Sequence, residues 1–139
     1  MKKRELVSKI MSDKLITLNL SNNLVEAEKL FKENSIRHIP IVSGSKIIGM
    51  LSLTDLMRIS YVDSYGAEEN EVDTSVYSML SIEQVMVKNI IFVSSNQTIK
   101  EVAEILAKNE FHALPVIDDG KLVGIVTTTD LLHYLLEQY

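Results

Sequence analysis

The chain has 139 residues, of which 46% are hydrophobic and 24% charged, which is the balance of a globular protein and not of a disordered one. A net charge of −5 disfavours a nucleic-acid partner, and the absence of cysteine excludes disulfides, thiolate metal sites and a cysteine nucleophile. The basic start Met1–Arg4 is not followed by the apolar run of a signal peptide, and no stretch approaches the roughly 20 apolar residues of a membrane span. We therefore expect a cytoplasmic protein with neither a nucleic-acid nor a membrane partner.

The sequence contains an internal repeat of one unit. A shift of 75 residues aligns Ile10–Ile59 with Val85–Tyr134 without a gap. The strongest coincidences are Met11 with Met86, Glu26 with Glu101, Asn34 with Asn109, Pro40 with Pro115, Lys46 with Lys121, Gly49 with Gly124, and Thr54-Asp55-Leu56 with Thr129-Asp130-Leu131. Such a repeat is the organising feature of the fold.

Each copy predicts the order β-α-β-β-α. An apolar, β-prone run opens the copy, a capping box of Asn or Thr with Glu starts the helix, and a glycine turn joins the next two strands. The second copy repeats every signal of the first. The predicted pieces are the strands 15–18, 38–42 and 46–52 with helices from 23 and 53, and the strands 90–93, 113–117 and 121–127 with helices from 98 and 128.

Each copy is too short to be stable on its own, so we expect the two halves to share one core. The prediction is an α+β protein in which the two repeats form a pseudo-twofold pair with their sheets facing each other. Residues 1–60 would hold the first repeat with a lead-in helix at Glu5–Met11, residues 61–80 an acidic linker, and residues 81–139 the second repeat with its lead-in at Ser81–Met86. The acidic residues of the linker favour a solvated, mobile segment.

The motifs carry a resemblance to a known family. Tandem units that begin with Ile-Met or Val-Met, continue with a hydrophobic-Pro-hydrophobic strand and end with Gly and Ser/Thr-x-x-Asp resemble paired CBS domains, the Bateman module in its stand-alone bacterial or archaeal form. The resemblance implies a non-catalytic regulatory module that binds AMP, ADP, ATP or S-adenosylmethionine in clefts between the halves. It implies no cofactor, a homodimer assembled through the last helices, and action on a separately encoded enzyme or transporter.

The Ser/Thr-x-x-Asp motifs are the candidate ribose and phosphate sites. Asp55 and Asp130 can accept from both hydroxyls of a ribose, and Ser52 and Thr127 offer hydroxyls to a sugar or a phosphate oxygen. The same pattern is also a helix N-terminus signature, in which these groups only cap backbone amides.

The candidate base-binding residues lie around the two prolines. The resemblance places Thr17, Ile39 and Pro40 in the first repeat, and Phe92, Leu114 and Pro115 in the second, against the purine; the alternative is that they are core residues. Because proline has no amide hydrogen, both prolines should lie at strand edges or starts, where a neighbouring backbone is left free for a ligand. The proline typical of the family ahead of the first strand is replaced by Lys14 and Asn89.

The candidate phosphate ligands differ between the copies. Arg37, His38 and Arg58 of the first repeat correspond to His112, Ala113 and His133 of the second. Arginine is always charged and grips phosphate with two hydrogen bonds, whereas a neutral imidazole offers one weaker donor, so a polyphosphate should prefer the first repeat. Surface solvation is the alternative interpretation of Arg58 and His133.

Two other function classes are the alternatives to a ligand-binding module. One is a ligand-free structural or oligomerisation module that acts through protein–protein contacts, since the last helices carry more apolar residues than short helices need. The other is an enzyme, which the sequence disfavours because its three histidines lack the spacing of a zinc hydrolase and no nucleophile elbow is present. His112 and His133 alone would make an incomplete metal site.

Overall fold

The structure is a computed structural model that describes residues 4–62, 77 and 79–139. It confirms the α+β class and the two repeats, each with a two-stranded sheet. The first repeat contains α1 (Leu24–Asn34), β1 (His38–Ser43), β2 (Lys46–Ser52) and α2 (Leu53–Val62); the second contains α3 (Ile82–Val85), α4 (Ile99–Lys108), β3 (Ala113–Asp118), β4 (Lys121–Thr127) and α5 (Thr128–Glu137). Most of the predicted acidic linker lies outside the described residues.

The predicted capping boxes are confirmed. At the start of α1 the backbone N–H of Glu26 donates to the side-chain oxygen of Asn23 at 2.8 Å, and the N–H of Asn23 donates back to the Glu26 carboxylate at 3.1 Å. Reciprocal boxes also begin α3 at Ser81 and α4 at Thr98. Each box satisfies two backbone donors that a helix otherwise leaves unpaired, which stabilises a helix start by about 1 kcal/mol.

Both glycine turns are confirmed as tight hairpins. β1 pairs antiparallel with β2 and β3 with β4, and each loop between paired residues is two residues long. In the second hairpin Asp119 and Gly120 both have positive φ angles, 50° and 77°, as a type I′ turn requires; in the first, Gly44 has φ 64°. A bulge interrupts the register at the same place in each hairpin, after Ile41 and after Val116.

The opening strand of each repeat, predicted as a four-residue run, is reduced to a single bridging residue. Leu18 donates its N–H to the Pro40 carbonyl at 3.1 Å and accepts from the N–H of Val42 at 2.8 Å, and Val93 makes the equivalent bonds with Pro115 and Ile117. The next bond of a parallel ladder would run from residue 40 to the Ile16 carbonyl. Proline has no N–H to donate, so the ladder stops there.

The chain forms two compact units. One consists of residues 16–90, and the other joins residues 1–15 to residues 91–139. The N-terminal lead-in therefore packs with the second repeat, although it precedes the first in the chain. The division of the sequence into 1–60, 61–80 and 81–139 stays a prediction.

The N-terminal lead-in is a 3₁₀ turn at Val7–Lys9 and not the predicted helix over Glu5–Met11. Backbone contacts hold it in place: Val7, which is fully buried, donates to the Gln97 carbonyl at 2.8 Å. Ser12 then exchanges two backbone hydrogen bonds with Ile125 of β4, at 2.8 and 2.9 Å. The turn keeps its own backbone bonds, from Ile10 and Met11 to the Val7 carbonyl, and the bonds to neighbouring segments fix the residues on either side of it.

The second lead-in packs on the first repeat in the same way. α3 buries Ile82, and Val87 exchanges two backbone hydrogen bonds with Met50 of β2. Tyr77, also buried, hydrogen-bonds to Glu28 of α1. Burial raises the pKa of the Glu28 carboxyl, but hydrogen bonds from Lys32 and Tyr77 outweigh it, so this pKa lies below its ordinary value.

Candidate functional site

The ribose and phosphate candidates of the second repeat meet where β4 passes into α5. Ala113 pairs with Thr127 across the hairpin, and the N–H of Thr128 donates to the His112 carbonyl at 2.9 Å. Thr127 Oγ1 accepts from the N–H of Asp130 at 3.1 Å, and Asp130 Oδ2 accepts from the N–H of Thr127 at 2.9 Å. The structure thus shows the capping interpretation for Thr127 and Asp130, and their contact with a ligand stays a prediction.

The first repeat builds the same corner from different side chains. His38 pairs with Ser52, and the N–H of Leu53 donates to the Arg37 carbonyl at 2.9 Å. Ser52 Oγ accepts from the N–H of Asp55 at 3.0 Å. The half-buried Asp55 carboxylate lies 3.8 Å from the guanidinium of Arg58, one turn along α2. The four phosphate candidates Arg37, Arg58, His112 and His133 are exposed, and His38 is half-buried.

The base candidates divide into buried and accessible residues. Ile39 and Leu114 are fully buried and belong to the two hydrophobic cores, as the core interpretation expects. Pro40 and Pro115 are buried as well. Thr17 is half-buried, whereas its counterpart Phe92 is 57% exposed. Only Thr17 and Phe92 of the six therefore offer side-chain surface to a ligand in this structure.

The two prolines also leave a backbone carbonyl of the opening segment without a hydrogen-bond donor on the neighbouring strand. Because each ends the ladder of the opening segment, the carbonyls of Ile16 and Ile91 receive no hydrogen bond from the residue at position 40 or 115. These carbonyls directly precede Thr17 and Phe92. The prolines were predicted as site residues from the sequence, whereas these two carbonyls were not. The absence of an N–H on proline is the signal that could have revealed them.

A second contact missed from the sequence holds the segment that follows Phe92. The Asp118 carboxylate accepts from the backbone N–H of Ser95 at 3.0 Å and also from its hydroxyl. These hydrogen bonds hold the pKa of Asp118 below its ordinary value. The aligned positions in the first repeat are Leu20 and Ser43, which cannot form this pair, so nothing in the repeat pattern points to it.

Among the residues the structure describes, no three His, Asp or Glu side chains are grouped so that they could hold a metal ion. Within the same ranges, no helix has both the length and the apolar character needed to cross a bilayer.

Comparison with known proteins identifies the family. The model of the CBS domain matches residues 7–61 and again residues 82–137, so the chain belongs to the CBS domain family and carries a tandem pair. A CBS domain-containing protein of Dictyostelium discoideum is 30% identical over 134 residues, which is 95% of this chain and 92% of that protein. Two relatives from Methanocaldococcus jannaschii, MJ1225 and MJ0188, are 24% and 28% identical over 94% and 95% of the chain, which spans only 47% and 44% of their length.

Solved structures agree with the fold. The CBS domain pair of protein MJ0100, solved in complex with 5′-methylthioadenosine and S-adenosyl-L-methionine, superposes with a TM-score of 0.79. It is 26% identical, and the match covers 96% of this chain and 98% of that one. CBSX2, solved in complex with AMP, superposes with a TM-score of 0.78 over 96% of this chain and 98% of its own; at 22% identity it supports the fold alone.

Proposed function

We propose that this CBS pair binds an adenosine-containing small molecule, an adenine nucleotide or an S-adenosylmethionine-type compound, and acts in the cytoplasm as a non-catalytic regulatory module. One observation carries the proposal: both units place a hydroxyl, a half-buried carboxylate and an exposed cation or imidazole at the same corner, where the last strand meets the last helix. The ligands of the MJ0100 pair, at 26% identity, support the adenosyl class.

The capping bonds leave the aspartates able to bind a sugar. A carboxylate has about four lone-pair sites, and the cap of α5 uses only one of them on Asp130, at Oδ2. The Asp55 carboxylate contacts Arg58 at 3.8 Å, which is longer than a hydrogen bond. Each carboxylate can therefore accept from the two adjacent hydroxyls of a ribose, and each such charged bond contributes roughly 1.5–3 kcal/mol.

Recognition of the base has a backbone component. The amino group of adenine is a hydrogen-bond donor, and the Ile16 and Ile91 carbonyls are acceptors that the prolines leave without a ladder partner. Thr17 and Phe92, the next residues, would contact the face of the ring. Ile39 and Leu114 would shape the floor of each site from within the core.

Calorimetric titration with AMP and with 5′-methylthioadenosine tests the proposal. The protein should bind at least one of them, and a ligand at 100 times its Kd should stabilise the fold by about 2.7 kcal/mol. Replacing both Asp55 and Asp130 by Asn keeps a side-chain oxygen, which at position 130 can still accept from the N–H of Thr127, but removes the charge that a ribose diol favours, so binding should be lost. Asp119→Asn, the same change in an exposed turn, is the matched control. No binding of either compound to the unmodified protein would refute the proposal.

A second proposal is self-assembly through the last helix of each repeat, α2 and α5. The interpretation as an oligomerisation module favours this surface. Leu132 and Leu136 lie one turn apart on α5 and are 54% and 70% exposed, and Met57 on α2 is 60% exposed. Apolar side chains so exposed favour burial against a second copy, and we propose a homodimer. Light scattering should show that Leu136→Glu reduces the mass to that of one chain, whereas Val25→Glu on the exposed side of α1 leaves it unchanged. A monomeric unmodified protein would contradict this.

A further inference from the structure

The two candidate sites are built alike but carry opposite charge. Arg37 and His112 occupy equivalent places, because each carbonyl accepts from the first residue of the following helix at 2.9 Å. Arg58 and His133 each lie three residues beyond the site aspartate. Apart from the imidazoles, the two arginines and Asp55 give the first site one net positive charge, whereas Asp130 gives the second one negative charge.

The difference in charge between the two sites determines which group on the 5′ carbon of a nucleoside each site favours. A phosphate gains from a guanidinium, which is always charged and donates through two N–H groups, and it is repelled by an unneutralised carboxylate. In the first repeat Arg58 lies close enough to Asp55, 3.8 Å, to offset the charge of the carboxylate. In the second repeat an imidazole takes the place of this guanidinium. That site therefore suits a 5′ group that is uncharged or positively charged.

The second site offers an aromatic side chain where the first has a threonine. Phe92 is 57% exposed, and its position in the first repeat is held by Thr17. The residues after Phe92 are fixed by Val93, which bridges to Val116, and by Ser95, which hydrogen-bonds to Asp118. Because Val93 bridges to Val116, the preceding residue Phe92 lies beside Pro115. Pro115 is two residues, or about 7 Å, along β3 from Ala113, which pairs with Thr127. A base stacked on Phe92 would gain affinity without any phosphate contact.

From these differences we infer that the two repeats take different classes of adenosine ligand. The first repeat takes nucleotides with a 5′-phosphate, and the second takes adenosine with an uncharged thioether or a sulfonium at the 5′ carbon. The inference rests on the proposed function, since it divides between two sites the ligands proposed for the pair as a whole. It makes one chain responsive to two kinds of adenosyl compound.

Titration of single-site variants with AMP and 5′-methylthioadenosine tests the division. In the Asp130→Asn variant, where the first site remains, AMP should bind more tightly than 5′-methylthioadenosine. In the Asp55→Asn variant the order should reverse, and adding Phe92→Thr should weaken 5′-methylthioadenosine. Exchanging the charges gives an independent readout: Arg58→His should weaken AMP about tenfold with little effect on 5′-methylthioadenosine, and His133→Arg should let the second site bind AMP.

The outcomes separate this inference from the proposed function. If the unmodified protein binds neither compound, the proposed function itself fails. If it binds, but the order of the two compounds is the same in both single-site variants, or Arg58→His weakens both equally, the division by charge is wrong. Thermal unfolding of each variant shows whether it is folded. The Arg58→His and His133→Arg variants test the division by charge even if the two aspartate variants do not fold.

Discussion

The backbones of Met50 and Val87 hydrogen-bond to each other in both directions, at 3.0 and 2.9 Å, although the acidic segment separates them in the chain. Ser12 and Ile125 are joined in the same way. Each compact unit therefore contains residues from both sides of the acidic segment.

A cut in that segment should leave the protein assembled. If residues 63–76 are replaced by a protease site and cleaved, fragments 1–62 and 77–139 should remain together, because the N-terminal lead-in packs on the second repeat and the second lead-in on the first. Native mass spectrometry of the cleaved protein measures this directly.

Val87→Pro in the cleavable protein is the matched control, since it removes the N–H that donates to Met50. This variant should release more free fragment than its parent. Complete separation of the parent fragments in dilute buffer would contradict the two-segment units.

A side chain at either of the repeated glycines would lie very close to neighbouring atoms. A Cβ atom at Gly124 would lie 2.7 Å from Sδ of Met11 and 3.0 Å from the Ser12 carbonyl oxygen. At Gly49 the three nearest atoms all belong to the side chain of Met86. A methionine side chain moves more easily than a paired backbone, so Gly124→Ala should destabilise the fold by about 1–3 kcal/mol and Gly49→Ala should destabilise it less. Denaturant unfolding gives both values.

Removing the methionine provides the control. Met86→Ala in the Gly49→Ala background should cost less than the sum of the two single changes, because the clash disappears with the side chain. Strictly additive effects would show that Met86 does not restrict Gly49.

The Ser95–Asp118 pair predicts a pH dependence of stability. Hydrogen bonds from Ser95 lower the pKa of Asp118 below its ordinary value of 3.8, so the carboxylate stabilises the folded state above that pH and this contribution is lost as pH falls through the lower folded-state pKa. Asp118→Asn should therefore lower the free energy of unfolding at pH 7, and the difference from the parent should shrink on acidification below pH 3.8. Unfolding curves of both proteins between pH 7 and pH 3 check this; a constant difference would contradict it.

Capping by Thr127 can be measured apart from ligand binding. Thr127→Ala removes the oxygen that accepts from the N–H of Asp130, and should cost about 0.5–2 kcal/mol in the absence of ligand. Thr127→Ser keeps the hydroxyl and should restore most of that loss. If Thr127→Ala left stability unchanged, the cap would contribute nothing to α5.

Features with a local cause were predictable from the sequence. The capping boxes at Asn23 and Thr98 and the turn at Asp119-Gly120 depend on residues within one turn of the chain, and the structure confirms each of them. The last strands, Lys46–Ser52 and Lys121–Thr127, were also predicted with the bounds the structure shows.

Features that depend on a distant partner were not predictable in this way. The apolar run Leu15–Leu18 favours a strand, but its partner has a proline where a donor is needed, so only Leu18 pairs. The N-terminal lead-in has helical spacing, yet contacts with Gln97 and Ile125 determine its conformation. In the candidate sites, the residue types were identified from the motifs, whereas the exposure of Phe92 and the burial of Ile39 required the structure.

The residues that make up each compact unit determine the order in which the two units can fold during synthesis. Residues 16–90 are all available once Ile90 has emerged, so that unit can fold while synthesis continues. Residues 4–15 precede that unit in the chain, but Val7 must wait for Gln97 and Ser12 for Ile125, both of which are made after Ile90. A segment that precedes residues 16–90 thus acquires its native partners only after that unit can already have folded.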